Sequence, residues 1–164
     1  MRIALFSLLV LGLTAGCDTG LGEAQRIFED QAFLGAAEGI TEIRLVDGGG
    51  VTDFTDPDDW RTGPIFGTRA MVLTPPTPNP VGVSEGFSIL VDFDEPGQLE
   101  LRVRNSAGDF PFRPGFEFQQ PGGGFRTLTL TGGELSNGNP GLYRVVVLDA
   151  LQRVVTYGDV RVGG

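Results

Sequence analysis

The sequence predicts an all-β protein folded as an antiparallel β-sandwich. After Ile40, about eight short segments alternate apolar and polar residues, and turn residues separate them roughly every 8–12 positions. The 26 glycines and 11 prolines punctuate these segments, which is typical of β proteins rather than helix bundles. Because each alternating strand has one apolar face to bury, two packed antiparallel sheets are the expected architecture.

The clearest strands are residues 87–93 and 99–103, which carry apolar side chains at every second position. Because Glu95-Pro96-Gly97 separates them, we interpret the pair as a β-hairpin with one buried and one solvated face. Residues 142–148 form the most continuously apolar run and are predicted to be a central strand. Further strands are predicted at 43–45, 69–74, 110–118, 125–131 and 154–162.

Two positions are expected to interrupt regular pairing. The proline run Pro75–Pro80 is predicted to end the strand at 69–74, since proline removes a backbone donor and restricts φ. Gly158 is predicted to form a β-bulge in the last strand.

The first 16 residues have the pattern of a secretory signal. Arg2 is followed by an apolar run over residues 3–13 and then by small residues. The run is about 11 residues long, whereas a membrane-spanning helix needs about 20. It is therefore interpreted as a cleaved signal and not as a permanent span.

The motif Leu13-Thr14-Ala15-Gly16-Cys17 resembles the lipobox of bacterial lipoproteins. That resemblance implies transfer of a diacylglyceryl group to the thiol of Cys17, cleavage before it and acylation of the new amine, with palmitate among the fatty acids. Thr14 stands in a place where leucine is commoner. Cys17 is the one cysteine of the chain, so it has no intramolecular disulfide partner. The alternative is an ordinary export signal followed by a chance cysteine. Asp18 resembles an inner-membrane retention signal in some bacteria, and inner or outer membrane is left undecided.

Residues 17–39 are predicted to be a lipid-anchored tether. Within it, Glu23–Ala37 places Ile27, Phe28, Phe33 and Leu34 at roughly helical spacing. A short helix and an irregular lead-in to the sandwich both fit this pattern. Residues 40–77 are assigned as N-terminal strands with an acidic loop, and residues 78–164 as the sandwich domain.

Composition limits both chemistry and partners. All 12 basic residues are arginine, there is no histidine, and the formal net charge is −9. A chain without histidine has no Ser-His-Asp triad, and one without lysine forms no Schiff base. Thiol catalysis is lost if Cys17 is acylated, which leaves carboxylates as the available catalytic groups. The negative charge argues against nucleic acid as a partner.

Three motifs in the second half of the chain carry a family resemblance: Pro78-Asn79-Pro80, the strand Gly97–Val103, and the strand Gly141–Asp149 with its valine-rich successor. With them, residues 78–162 resemble the immunoglobulin-like (Ig-like) C-terminal domains of type IX secretion cargo and the Ig-like domain of the flagellar hook-capping protein. The resemblance implies an Ig-like, fibronectin-like sandwich. Val81 departs from it, because an aromatic residue is usual there. Residues 18–77 are also too few for a secreted passenger, so we interpret the sandwich as the working body of the protein.

Two candidate sites stand out. Asp53, Asp56, Asp58 and Asp59 lie within seven residues, and clustered carboxylates suit Ca²⁺, which takes 6–8 oxygen ligands. The spacing matches no EF-hand loop, and an exposed acidic loop that caps a turn is the alternative.

Trp60 and Arg61 form the second candidate, an anchor for a protein or glycan partner, because both residue types are enriched in binding hot spots. The alternative is a tryptophan that plugs one end of the sandwich and donates its N–H to a backbone carbonyl.

The sequence favours a non-enzymatic, lipid-anchored protein of the cell envelope whose sandwich binds or builds, for instance as an accessory subunit of a membrane or surface complex. Its partner would be an unidentified envelope protein or glycan, and no cofactor other than Ca²⁺ is suggested. Two alternatives remain: a carboxylate-based glycan hydrolase, which requires two acids about 5–10 Å apart in a cleft, and a calcium-stiffened structural stalk.

Overall fold

The computed structural model describes residues 20–47, 49–95, 97–105, 107–108, 118–120 and 124–163. The predicted signal, Cys17 and most of the predicted strand at 110–118 lie outside these ranges. Two helices are present, α1 (Gly20–Leu34) and α2 (Gly132–Ser136). The strands in chain order are β1 (Glu42–Val46), β2 (Gly49–Phe54), β3 (Ala70–Thr77), β4 (Val81–Gly82), β5 (Gly86–Phe93), β6 (Gly97–Asn105), β7 (Phe118–Gln120), β8 (Gly124–Thr131), β9 (Gly141–Leu148) and β10 (Val154–Gly163).

Two sheets face each other across the core. One has three strands in the order β3-β5-β8, and the other has five in the order β4-β10-β9-β6-β7. All their strand pairs are antiparallel except β4 with β10. In immunoglobulin terms, β3, β5 and β8 take the places of strands A, B and E, while β6, β9 and β10 take those of C, F and G. The predicted antiparallel Ig-like β-sandwich is thus confirmed.

A tyrosine corner reinforces this topology. Tyr143 is the third residue of β9, the strand in the F position, and it is buried. Its hydroxyl donates to the carbonyl oxygen of Asn139 at 2.7 Å. A tyrosine near the start of strand F that hydrogen-bonds to the backbone just upstream is a hallmark of Ig-like sandwiches.

The core follows the predicted alternation. Along β5 and β8 every second side chain is buried, from Phe87 to Phe93 and from Arg126 to Leu130. The residues of β9 and β10, in contrast, are almost all buried, on both faces of the sheet. One face meets the three-stranded sheet, and the other is covered by helix α1.

Helix α1 packs on the outer face of the five-stranded sheet. Phe28 and Ala32 form a second apolar cluster with Tyr157 and neighbouring residues of β9 and β10, and the rings of Phe28 and Tyr157 lie 4.9 Å apart. The helical interpretation of this segment is confirmed. Most of the predicted tether is therefore part of the folded unit, and the apolar stripe differs from the expected one, since Ile27 and Leu34 are exposed.

The β1–β2 hairpin is separate from both sheets. It forms a two-stranded sheet and meets the sandwich through a bridge between Ile43 and Asn79. Gly50 faces the side chains of Ile43 and Thr77. The hairpin therefore sits at the end of the sandwich where β3 finishes.

Strand pairing differs from the sequence interpretation in one respect. Strands β5 and β6 do not form a hairpin, because β5 pairs with β3 and β8 while β6 pairs with β9 and β7. Strands β5 and β6 thus belong to different sheets. Alternation predicts which face of a strand is buried. Because each sheet of a sandwich buries one face, the pattern does not determine which strand pairs with which.

The proline run does not end β3. The strand continues through Pro75 and Pro76 to Thr77, with its register to β5 shifting beyond Thr74. This is tolerated because β3 lies at the edge of its sheet, where a missing backbone donor breaks no ladder. Since β3 pairs with β5, the sandwich also includes residues upstream of Pro78, the position at which its start was predicted.

Gly158 is not a bulge. It pairs in register with Val145, and the irregularity of β10 lies between Val154 and Thr156. The glycine is needed because the indole of Trp60 lies flat over it, and a Cβ at this position would stand 2.3 Å from Trp60 Cε2. Gly158 therefore allows the side chain of Trp60 to approach the backbone of β10 closely.

Candidate functional site

A buried polar cluster lies where the end of α1 meets β9 and β10. It consists of Asp59, Asn79, Arg144 and Asp159, which reach this point from the acidic loop, the segment after β3, β9 and β10 respectively. Asp159 and Asn79 are at most 2 % exposed and Arg144 is 7 % exposed. Charged groups removed from water this far are stable only when paired and fully hydrogen-bonded.

Arg144 meets that requirement completely. Its Nε and Nη2 donate to the two carboxylate oxygens of Asp159 at 2.8 and 2.9 Å. Its remaining N–H groups donate to the carbonyl oxygens of Gln31, Gly35 and Ala36 at 2.7–3.1 Å. All five guanidinium donors are therefore used.

The contacts of Arg144 cap the C-terminus of α1. The last carbonyl groups of a helix have no partner within it and carry partial negative charge, so a cation there is favourable. Arg104 adds a second arginine, which donates to Gly35 O at 2.7 Å. Burial works to lower the pKa of Arg144, but the hydrogen bonds to Asp159 and its charge outweigh this and raise it. The guanidinium stays charged and holds helix and sheet together.

Asn79 joins three segments in the same region. Its side-chain amide donates to Thr41 O at 3.0 Å and to Asp159 O at 2.9 Å, and its Oδ1 accepts from Arg161 N at 3.0 Å. Its backbone exchanges two hydrogen bonds with Ile43. The β1–β2 hairpin is thereby attached to the sandwich through a fully satisfied asparagine.

The four aspartates of the acidic loop do not converge. Asp53 lies on β2, where it pairs with Arg44, and exposed Asp58 pairs with Arg61 at 3.1 Å. Asp56 Oδ1 accepts from Asp58 N at 2.9 Å. Asp59 turns inward, and its two oxygens accept from Thr41 N and Asp159 N, each at 2.8 Å. Among the residues that the structure describes, no group of three or more acidic, histidine or cysteine side chains is arranged to hold a metal ion.

Trp60 is a core residue, and it follows Asp59 in a left-handed backbone conformation with φ of 60°. Its side chain is 7 % exposed and packs into the main apolar cluster. Its backbone N–H donates to Tyr157 O at 2.7 Å, while its indole Nε1 has no hydrogen-bond partner. Arg61 stays at the surface, within 3.5 Å of Gln31 on α1. Only Arg61 of this pair is thus accessible to a partner in this arrangement.

Asp59 is the one carboxyl group here with a strongly shifted titration. Burial raises its pKa to about 7, and the nearby charge of Asp159 adds to the rise, while the two backbone donors oppose it. Perturbed carboxyl groups cluster at functional sites, but structural networks perturb them too. Asp159 is buried and paired with Arg144, so its carboxylate is engaged in the structure.

The β1–β2 hairpin exposes a group of apolar side chains. Four of its large apolar side chains are exposed: Leu45, Val46, Val51 and Phe54. Cross-strand pairing places Arg44 opposite Val51 and Leu45 opposite Gly50, so apolar groups project from both faces. Within the described ranges β2 pairs with β1 alone, which leaves the outer edge of β2 free to accept another strand.

Neither described helix combines the length and apolar character that crossing a membrane requires.

We predict that Arg144→Met destabilises the protein by about 3–5 kcal/mol, because it leaves Asp159 buried without its counter-charge and α1 without its cap. The matched control is Arg102→Met, which breaks the partly exposed pair with Glu100 and should cost less than about 1 kcal/mol. Chemical denaturation of the mature protein in mild detergent measures both. Equal losses in the two variants would contradict the role assigned to Arg144.

The pKa of Asp59 predicts a pH dependence of stability. Its folded-state pKa of about 7 exceeds its value in the unfolded chain, so the unfolded state releases this proton first. The contribution of Asp59 to the free energy of unfolding is therefore complete below the unfolded pKa and declines as pH rises to 7, by up to about 1.4 kcal/mol per unit. Denaturation at several pH values from 4 to 8 should show wild type losing stability relative to Asp59→Asn. Parallel curves for the two proteins would refute the shift.

No family model matches the sequence, and no curated protein matches it. Among solved structures, the chain is similar to an immunoglobulin-like protein from Pseudomonas aeruginosa. The similarity has 12 % sequence identity and a TM-score of 0.34, and it covers 78 % of this chain and 95 % of the other.

Proposed function

We propose that this chain is a lipid-anchored protein of the cell envelope whose Ig-like sandwich acts as a non-enzymatic binding module. Sandwiches of this topology serve as structural and binding units in many unrelated proteins. The anchor is supported by the lipobox-like motif that ends at Cys17, the one thiol in the chain. Acyl chains hold a protein stably on a bilayer when two or more act together.

The observation that carries the binding role is the β1–β2 hairpin. It presents four exposed apolar side chains, Leu45, Val46, Val51 and Phe54, and its outer strand has an unpaired backbone edge in the described part of the chain. Natural proteins usually blunt such edges with charge or cover them. An extended segment of an envelope protein would add a strand to β2 and bury Val51 and Phe54.

The polar groups of the buried cluster also support a non-enzymatic role. Arg144, Asn79 and Asp159 are engaged with one another and with the backbone, so their arrangement serves folding. The acidic loop also lacks a convergent set of ligands, which gives the calcium-stiffened stalk no support.

Within the envelope, we favour the sandwich as the functional body rather than a secretion tag of the type IX kind. Both β3 and α1 lie upstream of the region that resembles such tags, and both belong to the folded unit.

The anchor predicts the behaviour of Cys17→Ser. Wild type should incorporate labelled palmitate, mature by cleavage before residue 17 and sediment with membranes. The variant should lack the label and remain as uncleaved precursor. Mass spectrometry of the N-terminal peptide identifies the acyl groups directly, and a Cys17→Ser protein that matures normally would rule the anchor out.

The binding role predicts a localised cross-link. Because the chain has no lysine, a photoreactive phenylalanine analogue should replace Phe54, with the exposed Thr127 position on β8 as the matched control. We expect a discrete protein adduct in cells from position 54, which Val51→Ser abolishes, and none from position 127. Equal adducts at the two positions, or none at either, would count against the hairpin as the contact surface.

A further inference from the structure

The structure assigns a membrane-facing end to the sandwich: we infer that the end bearing the start of α1 rests on the lipid surface, with Leu21, Phe125 and Leu151 dipping into it. This inference depends on the proposed acylation of Cys17. Its basis is the short length of chain between that residue and a helix that is firmly docked.

The distance from the anchor to the folded domain is limited by covalent geometry. Cys17 precedes Gly20, the first residue of α1, by three residues, and three residues span at most about 11 Å. The acylated residue therefore cannot stand far from the start of the helix. Whatever surrounds that helix end must lie close to the bilayer.

The orientation of α1 identifies this end. Gln25, in its second turn, donates to Val154 O at 2.9 Å, and Glu29 accepts from Val154 N at 3.2 Å. The other end of the helix meets Arg144. Helix α1 thus runs parallel to β10, and its N-terminus points past Val154 toward the turn that joins β9 and β10.

Contacts at both ends of α1 hold this orientation. Phe28 and Ala32 pack on the sheet, and Arg144 and Arg104 cap the final carbonyls. Because the helix is attached from Gln25 to its C-terminal end, the anchor restricts how the entire sandwich sits on the membrane. A flexible tether of more than 20 residues, as the sequence suggested, would impose no such restriction.

This end also exposes apolar side chains. Leu151 lies in the β9–β10 turn and is 72 % exposed, and Phe125, at the start of β8, is 67 % exposed. Phe125 pairs across the sheet with Asp92 near the end of β5, which places it at the same end as the turn at residues 94–96. Leu21, one helical turn before Gln25, is also exposed and lies on the same helix face.

Several of the charged groups at this end are paired with one another. Arg153 pairs with Asp149 at 2.5 Å and with Glu95 at 3.7 Å, and Arg69 pairs with Glu95. Exposed apolar side chains suit the interfacial region of a bilayer, where the gain comes from burying apolar area. The occupant of this end is therefore a lipid surface, supplied by the anchor itself.

Site-specific labelling of the full lipoprotein tests the inference. Acylation consumes the native thiol, so an introduced cysteine is the one reactive position. We would label Leu151→Cys, Phe125→Cys and, as control, Val46→Cys in the hairpin, and reconstitute each protein in phosphatidylethanolamine–phosphatidylglycerol vesicles. An environment-sensitive dye at 125 and 151 should shift its emission to the blue and be quenched by spin-labelled lipids, while the dye at 46 should remain as in water.

The outcomes separate this inference from the anchor. If the N-terminal peptide carries acyl groups and the protein floats with vesicles, but positions 125 and 151 resemble position 46, the orientation is wrong and the proposed function stands. Quenching at position 46 alone would overturn the orientation as well. If no acyl mass is found, the anchor and the orientation fail together.

Discussion

The ion pair between Arg144 and Asp159 is the interaction on which the rest of the structure depends. It joins the two central strands of the larger sheet, and the same guanidinium closes the end of α1. A buried pair adds little net stability, because desolvation offsets much of its attraction. Its effect here is positional. A helix whose terminal carbonyls are held by a side chain of the sheet cannot slide along it, so the chain before Gly20 always leaves the domain at the same end.

The same ion pair explains why one residue of the acidic loop, Asp59, points toward the sandwich. Asp159 is held by Arg144, and its backbone N–H is free to donate to Asp59, while its carbonyl accepts from Asn79. Asp59 and Asn79 also form hydrogen bonds with Thr41. The loop, the hairpin and the last strand therefore share one set of hydrogen bonds. These hydrogen bonds hold the hairpin and one end of the loop against the sandwich. Asp59 has a raised pKa through burial, without a free oxygen to offer a ligand.

Much of the fold could be predicted from the sequence, because alternation reports directly on burial. The inward set of β5 and the central place of β9 were both predicted correctly. What could not be predicted depends on contacts distant in sequence. The partner of β6 and the proximity of Trp60 to Gly158 are examples. One usable signal was overlooked: Arg144 and Asp159 are opposite charges within two otherwise apolar strands, and this pattern indicates a cross-strand pair. A second overlooked signal is the capping box formed by Thr131 and Glu134, which begins α2.

The exposed apolar side chains of the hairpin and those of Phe125 and Leu151 lie at opposite ends of the molecule. Strand β3 begins opposite Phe93, near the turn and helix start that face the anchor, and finishes beside the hairpin. Its eight residues separate these ends by about 25 Å. If both features were parts of one apolar patch, the membrane would cover them together and no surface would remain for a partner. Because the sandwich stands between them, the orientation that we propose would bury Leu151 and Phe125 in the bilayer and leave the hairpin in water.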